Sequence, residues 1–385
     1  MPILLLLCCS IFTFFVLYAP QPLLMVFATQ FGVSVASSGS LMSITMLPLA
    51  IAPIFYGLLF AHHNALYILK YAMLMLAATC IIFVYVPNFE LLLLTRFLQG
   101  LILPAILTAL TSYIGQQYQG KALHKNMTRY IASTIIGGYF GRMLAANFAS
   151  FYSWESFYYV IAAALTMLAI TINVHLFEKH TPPISSPKEY LKPLKEPTLL
   201  RLYLAVFCMF FCFSALLNYL PFILSTQFSI IDSRLIGWIY SGYFVGAILS
   251  LTTPLLKRHL YNNWLFLTVI FSVYSCSIIV LDTTSLSIFV SAFTLFCACM
   301  FMIHATAAPL ANVLSTAPVS VTNGAYVSFY YTGGALGSYF PGLVIEHLGY
   351  HAFIINLFVL CLCGLLLIHK NYKQGISTTL GEWPV

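Results

Sequence analysis

Residues 130–142 read YIASTIIGGYFGR and residues 326–338 read YVSFYYTGGALGS, two apolar stretches that share a Tyr, a Gly-Gly pair and a further Gly at an offset of 196 residues (130 to 326). The pairing continues downstream, where Trp154 and Phe157 stand opposite Tyr350 and Phe353. Self-similarity at this distance marks a chain built from two parallel halves. Gly137, Gly138 and Gly141, with Gly333, Gly334 and Gly337, are candidate helix-packing or gating residues. Without bulky side chains, helix backbones approach closely, and in lipid that contact holds helices together.

Around these stretches the composition leaves one solvent. Of 385 residues, 61% are hydrophobic and 6% charged, whereas soluble domains carry roughly 25% charged residues. Apolar runs near the ~20 residues that cross a bilayer are predicted at 3–27, 37–60, 66–86, 91–114, 127–149, 156–176, 201–225, 235–255, 263–281, 286–309, 321–345 and 351–369. The expected fold is an all-α membrane protein of twelve transmembrane helices in two six-helix bundles. Residues 177–200, with five prolines and four lysines, read as a cytoplasmic linker between bundles at 1–176 and 201–385, the second ending in a short cytoplasmic tail.

The first span has no basic n-region and runs on into Tyr18, Pro20, Gln21 and Pro22, which argues against a cleaved signal peptide. The net charge of +7 sits at span ends rather than in one patch, so no nucleic-acid partner is implied. With the N-terminus inside, thirteen Lys and Arg residues border inner loops and Arg234 alone borders an outer one. This satisfies the positive-inside rule and places both termini in the cytoplasm of a multi-pass protein of the cell's inner membrane. All ten cysteines lie within apolar spans at spacings that suit neither a disulfide framework nor a metal site, and no metal or cofactor is expected.

Charges inside spans are costly unless they face protein or water, and the span interiors hold Arg96 and Arg142. A guanidinium fork suits a carboxylate or phosphate, and equally it can bond helix carbonyls or snorkel outward. Gln99 shares the face of Arg96. His304 is the intramembrane group that titrates nearest neutral pH, with a packing role as the plain alternative. Tyr18 and Gln21 in the first span, Asn218 and Tyr219 before Pro221, and Tyr326 and Tyr330 in the eleventh span add polar tips to apolar helices. Together these are the candidate substrate-binding or coupling residues; the tyrosines also suit interfacial anchoring. Pro20, Pro22 and Pro221 each remove a helix hydrogen bond, tolerable in lipid where the freed backbone finds another donor. There is no phosphate-binding loop, HExxH or nucleophile elbow, so neither an enzyme nor an ATP-driven pump is indicated.

The six-plus-six pattern, the basic central stretch and RFLQG at 96–100 resemble the major facilitator superfamily, whose fourth span carries RxxQG. YAPQPLL at 18–24, GGYFGR at 137–142, LLNYLPF at 216–222, MIHATAAP at 302–309 and the 324–338 stretch are similar to its arabinose-efflux-like and drug-efflux-like permeases. The resemblance implies alternating access around a midplane site, commonly with proton antiport, and places Arg96 in the proton or substrate network. The sequence departs from the family after the second span. Where GxLaDRxGRR is expected, Gly57 is followed by LLFAHHNALY, so the charge relay that helps lock one conformation is missing; the equivalent loop at Lys257–Asn263 is eroded too. No intramembrane carboxylate is available as a proton site.

Three functional readings follow. The first is export of a small organic solute, such as a drug, sugar derivative or siderophore-like molecule, by proton antiport, with protons, the bilayer and the solute as partners and a monomer as the working unit. The second is import of a nutrient or metabolite anion. The third is a transporter-like sensor or assembly protein that moves nothing.

Overall fold

The computed structural model describes residues 1–60, 63–174, 192–260 and 262–380. Ala61 and His62 of the divergent loop, and residues 177–191 of the expected linker, lie outside the described residues. Ten helical segments are long and apolar enough to cross a bilayer, and two observations bring the membrane-crossing helices among the described residues to twelve. First, the run Val319–Leu380 turns at Gly349, whose φ of 82° and ψ of −178° are not helical, so it is two helices. Second, Gly120–Phe151 is 32 residues long, about 48 Å at 1.5 Å per residue, and falls short in apolarity only because of its basic start, its glycines and Arg142.

The helices are α1 (Ile3–Phe31), α2 (Val35–Phe60), α3 (Ala65–Tyr85), α4 (Phe89–Gln117), α5 (Gly120–Phe151), α6 (Trp154–Thr171), α7 (Pro197–Phe228), α8 (Ser233–Leu260), α9 (Asn263–Val280), α10 (Leu286–Leu314), α11 (319–348) and α12 (350–380). α5 starts at Gly120, earlier than the apolar run at 127. Lys121 and Lys125 extend the helix past the apolar run because their long stems carry the charge away from it. Polar residues between helices act as caps. Asn88 accepts from the Leu91 amide at 3.0 Å, Ser153 from Ser156 at 3.3 Å and Asn262 from Trp264 at 2.8 Å; each satisfies a backbone donor that the first helical turn leaves open. Glu90 and Glu155 occupy the first turns of α4 and α6, where the helix dipole favours negative charge.

The described residues fall into two compact units, one within Met1–Ile184 and Leu217–Ser241, the other within Ser185–Leu216 and Gly242–Val385. In the first unit α1 lies against α5, and a ring cluster of Phe27, Phe83, Trp154 and Tyr158 ties α1, α3 and α6 together, with Phe27 and Trp154 centroids 5.1 Å apart. Trp154 Nε1 donates to Gln30 Oε1 at 2.9 Å. Residues 217–241 belong to this unit through α8. A Cβ on Gly237 would stand 2.7 Å from the Ala146 methyl, and Ser150 Oγ donates to Asp232 at 3.1 Å. In the second unit Phe213, Phe296 and Tyr274 form a stack that joins α7, α9 and α10, with Tyr274 and Phe296 at 4.4 Å. The Tyr274 hydroxyl donates to Met209 O at 2.9 Å.

The repeat is one of contacts as well as letters. A Cβ on Gly137 would meet Ile11 O at 2.7 Å, and one on Gly141 would meet Phe15 Cα at 2.8 Å. In the second unit Gly333 faces the backbone of Phe207 and Gly337 that of Phe211. Ile11 and Phe15 become Phe207 and Phe211 at the same offset of 196 residues that relates the glycines (11 to 207, 15 to 211). Each unit therefore contains the same close helix crossing in the same register.

Candidate functional site

α1 is interrupted at Ala19, between Ile3–Tyr18 and Pro20–Phe31. Pro20 has no N–H for the carbonyl four residues before it, that of Val16. Arg96 supplies the donor, its Nη1 reaching Val16 O at 3.0 Å and its Nη2 reaching Leu17 O at 3.1 Å. Its Nε reaches Leu41 O on α2 at 3.3 Å, and Nη1 also donates to Gln99 Oε1 at 2.6 Å. The residue is fully buried. Gly100 in the same motif brings α4 onto α2, since a Cβ there would stand 2.6 Å from Thr45 O. RFLQG thus forms a brace across the break in α1. Gln99 keeps its Nε2 buried with no hydrogen-bond partner among the described residues.

The same device recurs at Pro221. Its missing N–H leaves Leu217 O without a helical donor, and the Tyr240 hydroxyl donates to that oxygen at 2.6 Å. Tyr240 was not among the residues singled out from sequence. Pro221 tells which carbonyl is freed, but not which distant side chain reaches it.

Arg142 is held differently. Its guanidinium carbon lies 4.1 Å from the ring centroid of Tyr18 and 5.8 Å from that of Tyr240. Nε donates to Gln21 Oε1 at 2.5 Å, and Nη1 donates to Gly138 O. Gln21 Nε2 in turn donates to Asn218 Oδ1 at 2.5 Å. Tyr18, Gln21, Arg142, Asn218 and Tyr240 are all buried. Four predicted residues from α1, α5 and α7 therefore meet in one polar cluster of the first unit, at a depth where each group costs energy unless it is bonded. Tyr219, next to Asn218, is fully buried and has its ring 6.3 Å from Phe222.

The repeat places a counterpart in the second unit. Tyr18 and Arg142 correspond to Ser214 and Ser338, and those two hydroxyls lie 2.8 Å apart. Gly138 O accepts from Arg142, and Gly334 O accepts from Ser338 Oγ at 2.6 Å. One architectural position thus carries a guanidinium against an aromatic ring in the first half and a pair of small hydroxyls in the second.

The predicted residues of the second unit gather around His304. The Tyr326 hydroxyl and His304 Nδ1 are 2.9 Å apart, and the His304 ring lies 5.5 Å from the ring of Tyr326 and 5.1 Å from that of Tyr330. Tyr330 is stacked on Phe210 of α7 at 3.5 Å. Tyr203 is 6.4 Å from Tyr326 and 5.5 Å from Phe329. Phe210 and Tyr203 were missed in the sequence, where each is one more aromatic in an apolar helix. Phe210 is legible only through the offset, as the counterpart of Phe14, whose ring lies 6.0 Å from Tyr18.

Comparison with known proteins agrees with this architecture. Residues 5–322 match the Major Facilitator Superfamily. The chain is similar, at 25% identity over 94% of its length and 92% of the relative's, to an uncharacterized transporter of Buchnera aphidicola subsp. Baizongia pistaciae. It is also 25% identical to the multidrug efflux protein YfmO of Bacillus subtilis, over 63% of this chain and 60% of that one. Among solved structures a point mutant of the nucleoside transporter NupG superimposes with a TM-score of 0.78 at 13% identity, covering 96% of this chain and 99% of that one.

Proposed function

Because the chain belongs to the Major Facilitator Superfamily, and is thus a multi-pass membrane transporter, we propose that it exports a small organic solute across the inner membrane in exchange for protons. In this reading two six-helix bundles, 1–176 and 201–385, alternate access to a central site, both termini are cytoplasmic and the protein works as a monomer. The observation that carries it is the buried cluster of Tyr18, Gln21, Arg142 and Asn218. Polar groups at this depth are retained where they serve a path for solute or ion. The resemblance to a multidrug efflux protein supports the outward direction.

The guanidinium of Arg142 favours a second reading, import of an anion, since its planar fork matches carboxylate and phosphate. Profiling small molecules inside and outside deletion and wild-type cells separates the two. A solute retained by the deletion strain, and still retained when Gln21→Leu or Arg142→Lys is supplied, identifies export through the cluster. A solute missing from deletion cells identifies import. Identical profiles sink both readings and favour a sensor or assembly role.

A further inference from the structure

We propose that His304 is a proton-binding site, taking its proton at Nε2 while Tyr326 holds the ring in one tautomer. The idea gives the antiport reading above its coupling group, and the site itself is testable without any cargo.

The geometry carries the assignment. His304 is half-buried in the middle of an apolar helix, and its Nδ1 is committed to the Tyr326 hydroxyl at 2.9 Å. Among the described residues Nε2 has no hydrogen-bond partner, and it is not one of the fully buried side-chain atoms without one, so on this half-buried residue it keeps some surface. The groups facing it are Tyr326 and Tyr330 from α11, with Tyr203 and Phe210 of α7 behind those rings. No carboxylate or cation is in contact with the ring among the described residues.

The chemistry follows from the tautomer. The 2.9 Å separation accommodates either direction; in the proposed tautomer Nδ1–H donates to the phenol oxygen and leaves the lone pair on Nε2, where a proton from water adds to give the imidazolium without disturbing the Tyr326 bond. Release returns the proton to water and restores the neutral ring. Net charge at this place in α10 thus switches between zero and plus one, which a static hydroxyl pair cannot do.

The test uses full-length protein labelled with nitrogen-15 at histidine, in lipid nanodiscs, titrated by NMR over the pH range in which it stays folded. The His304 signal is the one missing in His304→Gln. Should that variant fail to fold, Tyr326→Phe identifies the same signal by the shift it causes. We expect a resonance that is Nδ1–H tautomeric at high pH and moves to the doubly protonated pattern as pH falls, and that becomes a tautomer mixture in Tyr326→Phe. A signal that stays in one protonation state throughout, or whose tautomer ignores Tyr326→Phe, overturns the proposal. If His304 titrates while transport by the wild type is indifferent to a pH gradient, the antiport reading fails and the proton site stands.

Discussion

Arg96 and Tyr240 serve one purpose at two places, filling carbonyls that prolines leave open. Removing either leaves a buried acceptor unsatisfied, at a cost of about 1–3 kcal/mol per group. Arg96→Ala is therefore expected to lower stability by about 3 kcal/mol, since it abandons several carbonyls at once. The coupling is specific. Pro20→Ala restores an N–H for Val16 O, so in that background Arg96→Ala should cost about 1 kcal/mol less, measured by thermal unfolding of the purified protein in detergent. Likewise Tyr240→Phe should lose its effect in Pro221→Ala, and equal penalties in both backgrounds would refute the pairing. The sequence carries half of this logic, because a proline names the carbonyl it orphans. The donor lies 80 positions away in one case and 23 in the other, and no spacing rule connects them.

At the level of helices, the glycine crossings decide what a substitution does. Gly337 faces the backbone of Phe211, which cannot yield as a flexible side chain would. Gly337→Ala is expected to destabilise by about 1–3 kcal/mol through overpacking, and Gly141→Ala should do the same at the equivalent crossing. At Gly115 on α4 an added Cβ would meet nothing within 4 Å; Gly115→Ala should instead raise stability by about 0.5–1 kcal/mol, the ordinary helix preference for Ala over Gly. Matching gains at Gly115 and Gly337 would show that helix propensity, and not the close approach, governs these sites. The offset was readable in the letters of GGYFG and GGALG. Their partners were not, because Ile11, Phe15, Phe207 and Phe211 contribute backbone, which any residue supplies. Gly349, at a φ of 82°, marks the turn between α11 and α12; sequence hydropathy already separated those two runs.

For the whole molecule, hydropathy and charge made twelve helices legible because the bilayer imposes one length and one solvent on every span. The polar clusters were only partly legible. Their members stood out as lone polar residues, but the assembly of Tyr18, Gln21, Arg142 and Asn218 depends on helices far apart in the chain. The orientation expected from the basic residues has a direct check. A membrane-impermeant thiol reagent applied to intact cells should label Glu155→Cys above the wild-type signal, whereas Lys125→Cys should require permeabilisation; the reverse pattern would invert the topology.

The two intramembrane guanidiniums also have an electrical meaning. Arg96 and Arg142 are fixed positive charges within the first unit, in spans whose interiors contain no Asp or Glu. Carrying one charge across a full membrane potential of about 100 mV is worth about 2.3 kcal/mol. A rearrangement that shifted this unit along the membrane normal would therefore be done with or against the voltage, and a polarised membrane would then bias which conformation the resting protein adopts, before any solute or proton has bound.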